Sequence, residues 1–168
     1  MNLIKGFIIC SLSFINFNQS KAQIFFKTHP GINPYQFETV KEKLFKHAAV
    51  TSAHPLASMV GAAILQDGGN AFDAMVATEL SLAIAFPFAG NLGGGGFMVY
   101  RMADGSIGSI DYREKAPLAA TRDMYLDENG EVIPRLSTTG ALAVGVPGTI
   151  AGILEVHRKF GTLPLEEI

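Results

Sequence analysis

The chain has 168 residues, enough for one domain with a real core or for a piece of a larger one. Hydrophobic residues make up 48% and charged residues 17%, and the formal charge is −2, which excludes the basic footprint of a nucleic-acid-binding surface. The mean hydropathy of +0.27 is high for a soluble domain and directs attention to the first residues.

Met1 to Lys5 form a short, positively charged start, and Gly6 to Phe17 is an apolar run. Ser20 and Ala22 put small residues at the −3 and −1 positions of a cut before Gln23. This is the n-region, h-region and cleavage pattern of a secretory signal peptide over residues 1–22. The run is shorter than the roughly 20 apolar residues needed to cross a bilayer, so no stable membrane span is expected. An uncleaved anchor is the competing reading. Ile8 and Ile9 stand before Cys10 where a lipoprotein signal carries small residues. Cleavage would remove Cys10, the only cysteine, and with it any disulfide, Cys nucleophile or Cys-based metal site. An exported chain without thiols suits a bacterial periplasm or exterior.

Residues 23–46 are mixed and polar, broken by Pro30, Gly31 and Pro34, and read as an extended arm. From His47 the chain turns apolar. His54-Pro55 marks a helix start, because Pro fits the first helical turn and lacks an N–H that would be unpaired there. Leu56, Met59, Val60, Ala63 and Ile64 follow at helical spacing. Gly68-Gly69 ends that helix, and Asn70 caps a second one predicted over Ala71–Ala85 before Pro87. Its residues are small or apolar on nearly every side, so burial on more than one face is expected.

Asn91 to Gly96 (NLGGGG) precedes Phe97–Arg101, which reads as a short, buried strand. Ala103-Asp104-Gly105-Ser106 carries an Asp-Gly turn, and Ile107–Tyr112 alternates with period two, so a β-hairpin is predicted. Asp127 to Gly130 is another tight turn. A third helix is predicted after Pro147-Gly148, running to Phe160 and ending at Gly161. Leu163 to Ile168 reads as the opening of a further helix, which points to truncation. The fold class is α/β in layers, with antiparallel strands against helices.

The glycine run lacks the strand before it and the Lys-Ser/Thr after it that a phosphate loop requires. Its glycines are better explained as places where backbones pass too closely for a Cβ. His29, His47, His54 and His157 show no zinc-site spacing. No GxSxG or Ser-x-x-Lys motif supplies a nucleophile. Arg113, in Asp111-Tyr112-Arg113-Glu114-Lys115-Ala116-Pro117, lies at the exit of the second strand. Its planar fork suits a carboxylate, although position alone favours a surface arginine paired with Asp111 or Glu114.

The stretches TSAHPLASMVGAAILQDGGNAFDAMVAT, GNLGGGGFMVY, DYREKAP and GVPGTIAGILEVHRKFGTLPLEEI closely resemble the γ-glutamyltransferase (glutathione hydrolase) family, in its order and spacing, over Ala48 to Ile168. The resemblance implies the N-terminal nucleophile hydrolase fold, an αββα sandwich of which residues 47–168 are the N-terminal portion of a large subunit. It implies a precursor that cuts itself into a heterodimer of large and small subunits, exposing a threonine nucleophile whose own amine is the base. Glutathione and other γ-glutamyl compounds would be the donors, and no metal or organic cofactor is implied. In the family pattern the arginine of R-E-x-A-P binds the donor's α-carboxylate, a role that carries over to Arg113. The nucleophile has no counterpart here, and Thr51, Thr138 and Thr139 do not qualify, so the chain alone is expected to be inactive. A related acylase acting on a cephalosporin or glutaryl amide, or a non-catalytic binding module, are the competing functions.

Overall fold

The computed structural model describes Phe25 and residues 27–39, 41–42 and 44–168. The proposed signal peptide lies outside the described residues. Two units separate, Met1–Pro30 and Gly31–Ile168. In the first, the arm is not extended throughout: Phe25, Lys27 and Thr28 are helical, with His29 N–H donating to the Phe25 carbonyl at 2.9 Å. The His29 ring stacks on Phe25 at a centroid distance of 4.4 Å, a contact that one helical turn creates and an extended arm would lose.

In the second unit α1 spans Pro55–Gln66 and α2 spans Ala71–Ala85. His54 caps α1, its ring nitrogen accepting from Leu56 N–H at 3.3 Å. Asn70 and Asp73 form a reciprocal capping box on α2, the Asn70 side chain accepting from Phe72 and Asp73 N–H while the Asp73 carboxylate accepts from Asn70 N–H. The two helices approach closely where a Cβ on Gly61 would run into the Thr78 hydroxyl. Burial on several sides of α2 is observed: Asp73, Ala74, Val76, Ala77 and Thr78 are all buried.

β1 (Phe97–Arg101) and β2 (Ile107–Asp111) pair antiparallel, with Met98 opposite Ile110 and Tyr100 opposite Gly108. The Asp-Gly turn forms as expected, with Gly105 at φ +87° and Ser106 N–H donating to the Asp104 carboxylate at 2.9 Å. A short 3₁₀ turn at Ala141–Ala143 precedes α3, which spans Thr149–Phe160. The core lies between α2, α3 and one face of the hairpin: Val76, Met98, Ile153 and Val156 fill it, and Phe72 stacks on Phe160 at 4.5 Å.

One further expectation is corrected. β1 is not buried throughout, since Phe97 is 66% and Val99 83% exposed while Met98 is 8%. Only the hairpin face that meets the helices is covered among the described residues, so the strand alternates rather than hiding both faces. At Leu163–Ile168 a single turn forms, with the Glu167 and Ile168 N–H groups both reaching the Pro164 carbonyl, at 2.9 Å and 3.4 Å.

Candidate functional site

Three segments cross where β2 ends. Tyr112 exchanges backbone hydrogen bonds with Gly96, at 3.0 Å and 3.4 Å. Lys115 exchanges them with Val146, at 3.1 Å and 2.8 Å. Arg113 and Glu114 are therefore bracketed by a bridged pair on each side. The glycine run is in turn tied to the start of α3, whose Gly148 N–H donates to the Gly94 carbonyl at 2.7 Å and whose Thr149 hydroxyl donates to the Gly93 carbonyl at 2.9 Å.

The crossing is as tight as the glycines anticipate. A Cβ on Gly95 would lie 2.5 Å from the Tyr112 carbonyl oxygen and 2.6 Å from both Arg113 Cα and Glu114 N. A Cβ on Gly148 would collide with the Tyr112 carbonyl and stand 2.8 Å from that of Arg113. The backbone of Arg113 thus passes between two glycines from segments far apart in sequence. The close passage of chains expected of the run is what it provides here.

The Arg113 side chain is exposed. Its guanidinium carbon sits 5.6 Å from the centroid of the Phe97 ring, a cation–π contact that supports the fork from one face. The pairing that position favours does not form. The Asp111 carboxylate instead accepts from the backbone N–H of Arg113 at 3.0 Å, and among the described residues no carboxylate lies within 4.0 Å of the guanidinium nitrogens. Beside Arg113 an open groove of about 320 Å³ runs between Lys115, Pro147 and Glu155. Glu155 is itself engaged, its carboxyl brought down to about 2 by hydrogen bonds from Arg158 and then Lys159. The groove therefore holds a fixed backbone, an arginine fork free to accept a carboxylate, and a second cation at its wall.

The other residues singled out by sequence are not brought to this place. Thr51, Thr138 and Thr139 are exposed, and the Thr138 hydroxyl donates to the Arg135 carbonyl at 3.2 Å. His54 is spent on the α1 cap, and His157 Nε2 bonds the Leu163 carbonyl at 2.8 Å. Sequence reading missed Asp73, which is fully buried and ties the start of α2 to the end of α3. It accepts from the Thr162 hydroxyl at 2.6 Å, from Thr162 N–H and from Leu163 N–H, while Asn70 Nδ2 donates to the Phe160 carbonyl at 2.6 Å. Burial pushes its carboxyl up, but the Thr162 hydroxyl and the Asn70, Thr162 and Leu163 N–H groups together hold it below its ordinary value. The available signal was Asn-x-x-Asp at a helix start, a capping box in an otherwise apolar helix.

Residues 57–168 match the family model described as gamma-glutamyltranspeptidase. The chain belongs to this family. It is 51% identical over 123 residues to the glutathione hydrolase proenzyme of Pseudomonas sp. (strain A14), covering 73% of this chain and 21% of that protein. It is 53% identical over 120 residues to the corresponding proenzyme of Pseudomonas aeruginosa, covering 71% of this chain and 21% of the relative. The crystal structure of Helicobacter pylori gamma-glutamyltranspeptidase matches with a TM-score of 0.70 and 51% identity, over 74% of this chain and 36% of that one. The layered α/β fold of a γ-glutamyltranspeptidase, present in part, is thereby borne out. The chain spans about a fifth of the length of the curated relatives it matches.

Proposed function

We propose that this chain supplies the donor-carboxylate clamp of an exported γ-glutamyltransferase or glutathione hydrolase. The observation that carries the reading is the unpaired Arg113 fork on a backbone bracketed by Gly96 and Val146. Two charge-assisted hydrogen bonds from the guanidinium would grip the α-carboxylate of a γ-glutamyl donor such as glutathione. That grip fixes the far end of the donor, so the γ-amide carbonyl is held for attack by an N-terminal threonine that the rest of the precursor contributes. The acyl-enzyme then passes its γ-glutamyl group to water or to an amino-acid amine. Within this chain Arg113 binds and orients; the bond-making groups come from the remainder of the large subunit and from the small subunit. Residues 1–22 direct export to the periplasm or the exterior, and Gln23 begins the mature chain.

The complete precursor carrying this chain is expected to turn over γ-glutamyl-p-nitroanilide and glutathione, while the 168-residue chain alone shows no turnover. A matured precursor inert toward γ-glutamyl amides would sink the reading, and a preference for glutaryl amides would move it to the acylases. N-terminal sequencing of the exported product should begin at Gln23; a product retaining Met1 would overturn the signal-peptide assignment.

A further inference from the structure

Arg113 is held through its neighbour. The Tyr112 ring lies on Gly152, where a Cβ would run into the ring's Cγ and stand 2.5 Å from Cβ and Cδ2. A Cβ on Gly96 would lie 2.7 Å from Cε2 and 3.0 Å from Cζ and the hydroxyl. The Tyr112 carbonyl is hemmed by Gly95 and Gly148, as described above. Four glycines from two segments therefore form one socket around a single residue, with Gly95, Gly148 and Gly152 closed to any side chain and Gly96 crowded by the outer ring atoms. The ring continues into the core, packing against the cluster of Val76, Met98, Ile153 and Val156. Burial first, and then the Glu79 carboxylate, raise the phenol above its ordinary value of 10.0, so Tyr112 stays neutral and brings no charge to compete for the fork.

We propose that Tyr112, seated in the socket of Gly95, Gly96, Gly148 and Gly152, is a positioning residue that sets where the Arg113 guanidinium meets the donor's α-carboxylate. The proposal rests on the assignment of Arg113 made above. A bidentate fork tolerates little error in orientation, and a misplacement of about 1 Å can cost roughly 100-fold in rate. Socket and core fix the two atoms that matter most, the carbonyl carbon of Tyr112 and the Cα of Arg113.

The test compares two donors on the matured precursor. One is γ-glutamyl-p-nitroanilide; the other is γ-aminobutyryl-p-nitroanilide, which lacks only the α-carboxylate. The readout is the ratio of their kcat/KM values, which a general loss of folded or mature enzyme leaves unchanged. Tyr112→Ala and Gly152→Ala are expected to lower the ratio roughly 10- to 100-fold through the γ-glutamyl donor alone, whereas Tyr112→Phe keeps it within about twofold. Should Gly152→Ala fail to mature, Gly96→Ala serves in its place, because its Cβ meets only the outer ring atoms, and a smaller fall in the same direction is expected. Equal losses on both donors, or an unchanged ratio, would overturn the proposal. Arg113→Ala separates the two claims. If it collapses the ratio while the Tyr112 and glycine variants do not, the socket is refuted and the clamp stands. If Arg113→Ala itself leaves the ratio unchanged, the clamp fails and the socket's role fails with it.

Discussion

Between α2 and α3 side chains occupy the shared space: Val76, Ile153 and Val156 are at most 1% exposed, and the Asp73 carboxylate bridges the helix ends. At the crossing of residues 93–96, 112–115 and 146–149 the backbones themselves occupy it, because glycines remove the side chains that would hold them apart. The first arrangement gains its stability from buried apolar surface. The second gives up side-chain contacts to fix a backbone, and so leaves the Arg113 side chain exposed yet anchored. The proposed carboxylate clamp calls for a group rigid at its root and open at its tip, and the crossing supplies both at Arg113.

The sharpest way to break this comparison is to damage the core and look for an effect at the crossing. Ile153→Ala should lower stability by about 2–5 kcal/mol, measured by urea unfolding of the precursor. Its donor ratio should fall far less than that of Tyr112→Ala, because Tyr112 loses one core neighbour and keeps its glycine socket; a fall as large as that of Tyr112→Ala would show that the two regions are not separable. Asp73→Ala comes next, at about 1.5–3 kcal/mol for a hydrogen-bonded charge. This contribution depends on pH with a definite sign. The folded carboxyl lies below its ordinary 3.8, so the stabilisation is present above that value and is lost as pH falls through the lower folded value. The unfolding midpoint of the native sequence should therefore drop on acidification more steeply than that of Asp73→Asn; parallel acid limbs would show that the carboxylate is not held down.

Arg113→Lys sharpens the comparison from the other side. Replacing the fork by a point charge should reduce kcat/KM for a γ-glutamyl donor about 10- to 100-fold, the worth of one charge-assisted hydrogen bond. The unfolding midpoint should stay put, because the side chain is exposed and makes no ion pair among the described residues. Unchanged donor kinetics would remove Arg113 from the site.

Locally determined features were legible from sequence: the His54 and Asn70 caps, the Asp-Gly turn, and helix ends set by Pro55, Gly148 and Gly161 all depend on a few adjacent residues. The openness of Arg113 was not, because Asp111 can serve either the guanidinium or the backbone N–H, and only the turn geometry decides. The Asp73–Thr162 tie joins residues 89 apart, and the Tyr112 socket joins segments on either side of a long loop, so neither leaves a short-range pattern. Gly148 and Gly152, four residues apart at the start of α3, mark a close approach without naming what approaches. The exposure of Phe97 and Val99 eluded the sequence for a related reason, since an apolar strand reads alike whether one face or both are covered.

The smallest effect concerns Glu155, an acid across the groove from the fork. It lies on the wall of the groove, yet its carboxylate is held at 2.7 Å by Arg158 and at 3.2 Å by Lys159, on its own helix and facing solvent. Its carboxyl is ionised down to about pH 2, so throughout the working range it remains a partner for those two cations. Exposed pairs of this kind add little to stability and are screened by salt. Glu155→Gln should therefore leave both the unfolding midpoint and the donor ratio unaltered. A gain in γ-glutamyl turnover in this variant, abolished by added salt, would instead mean that Glu155 draws on the Arg113 charge across the groove. The fork would then be less free than its geometry indicates, and the division between an anchored root and an open tip would have to be redrawn at that wall.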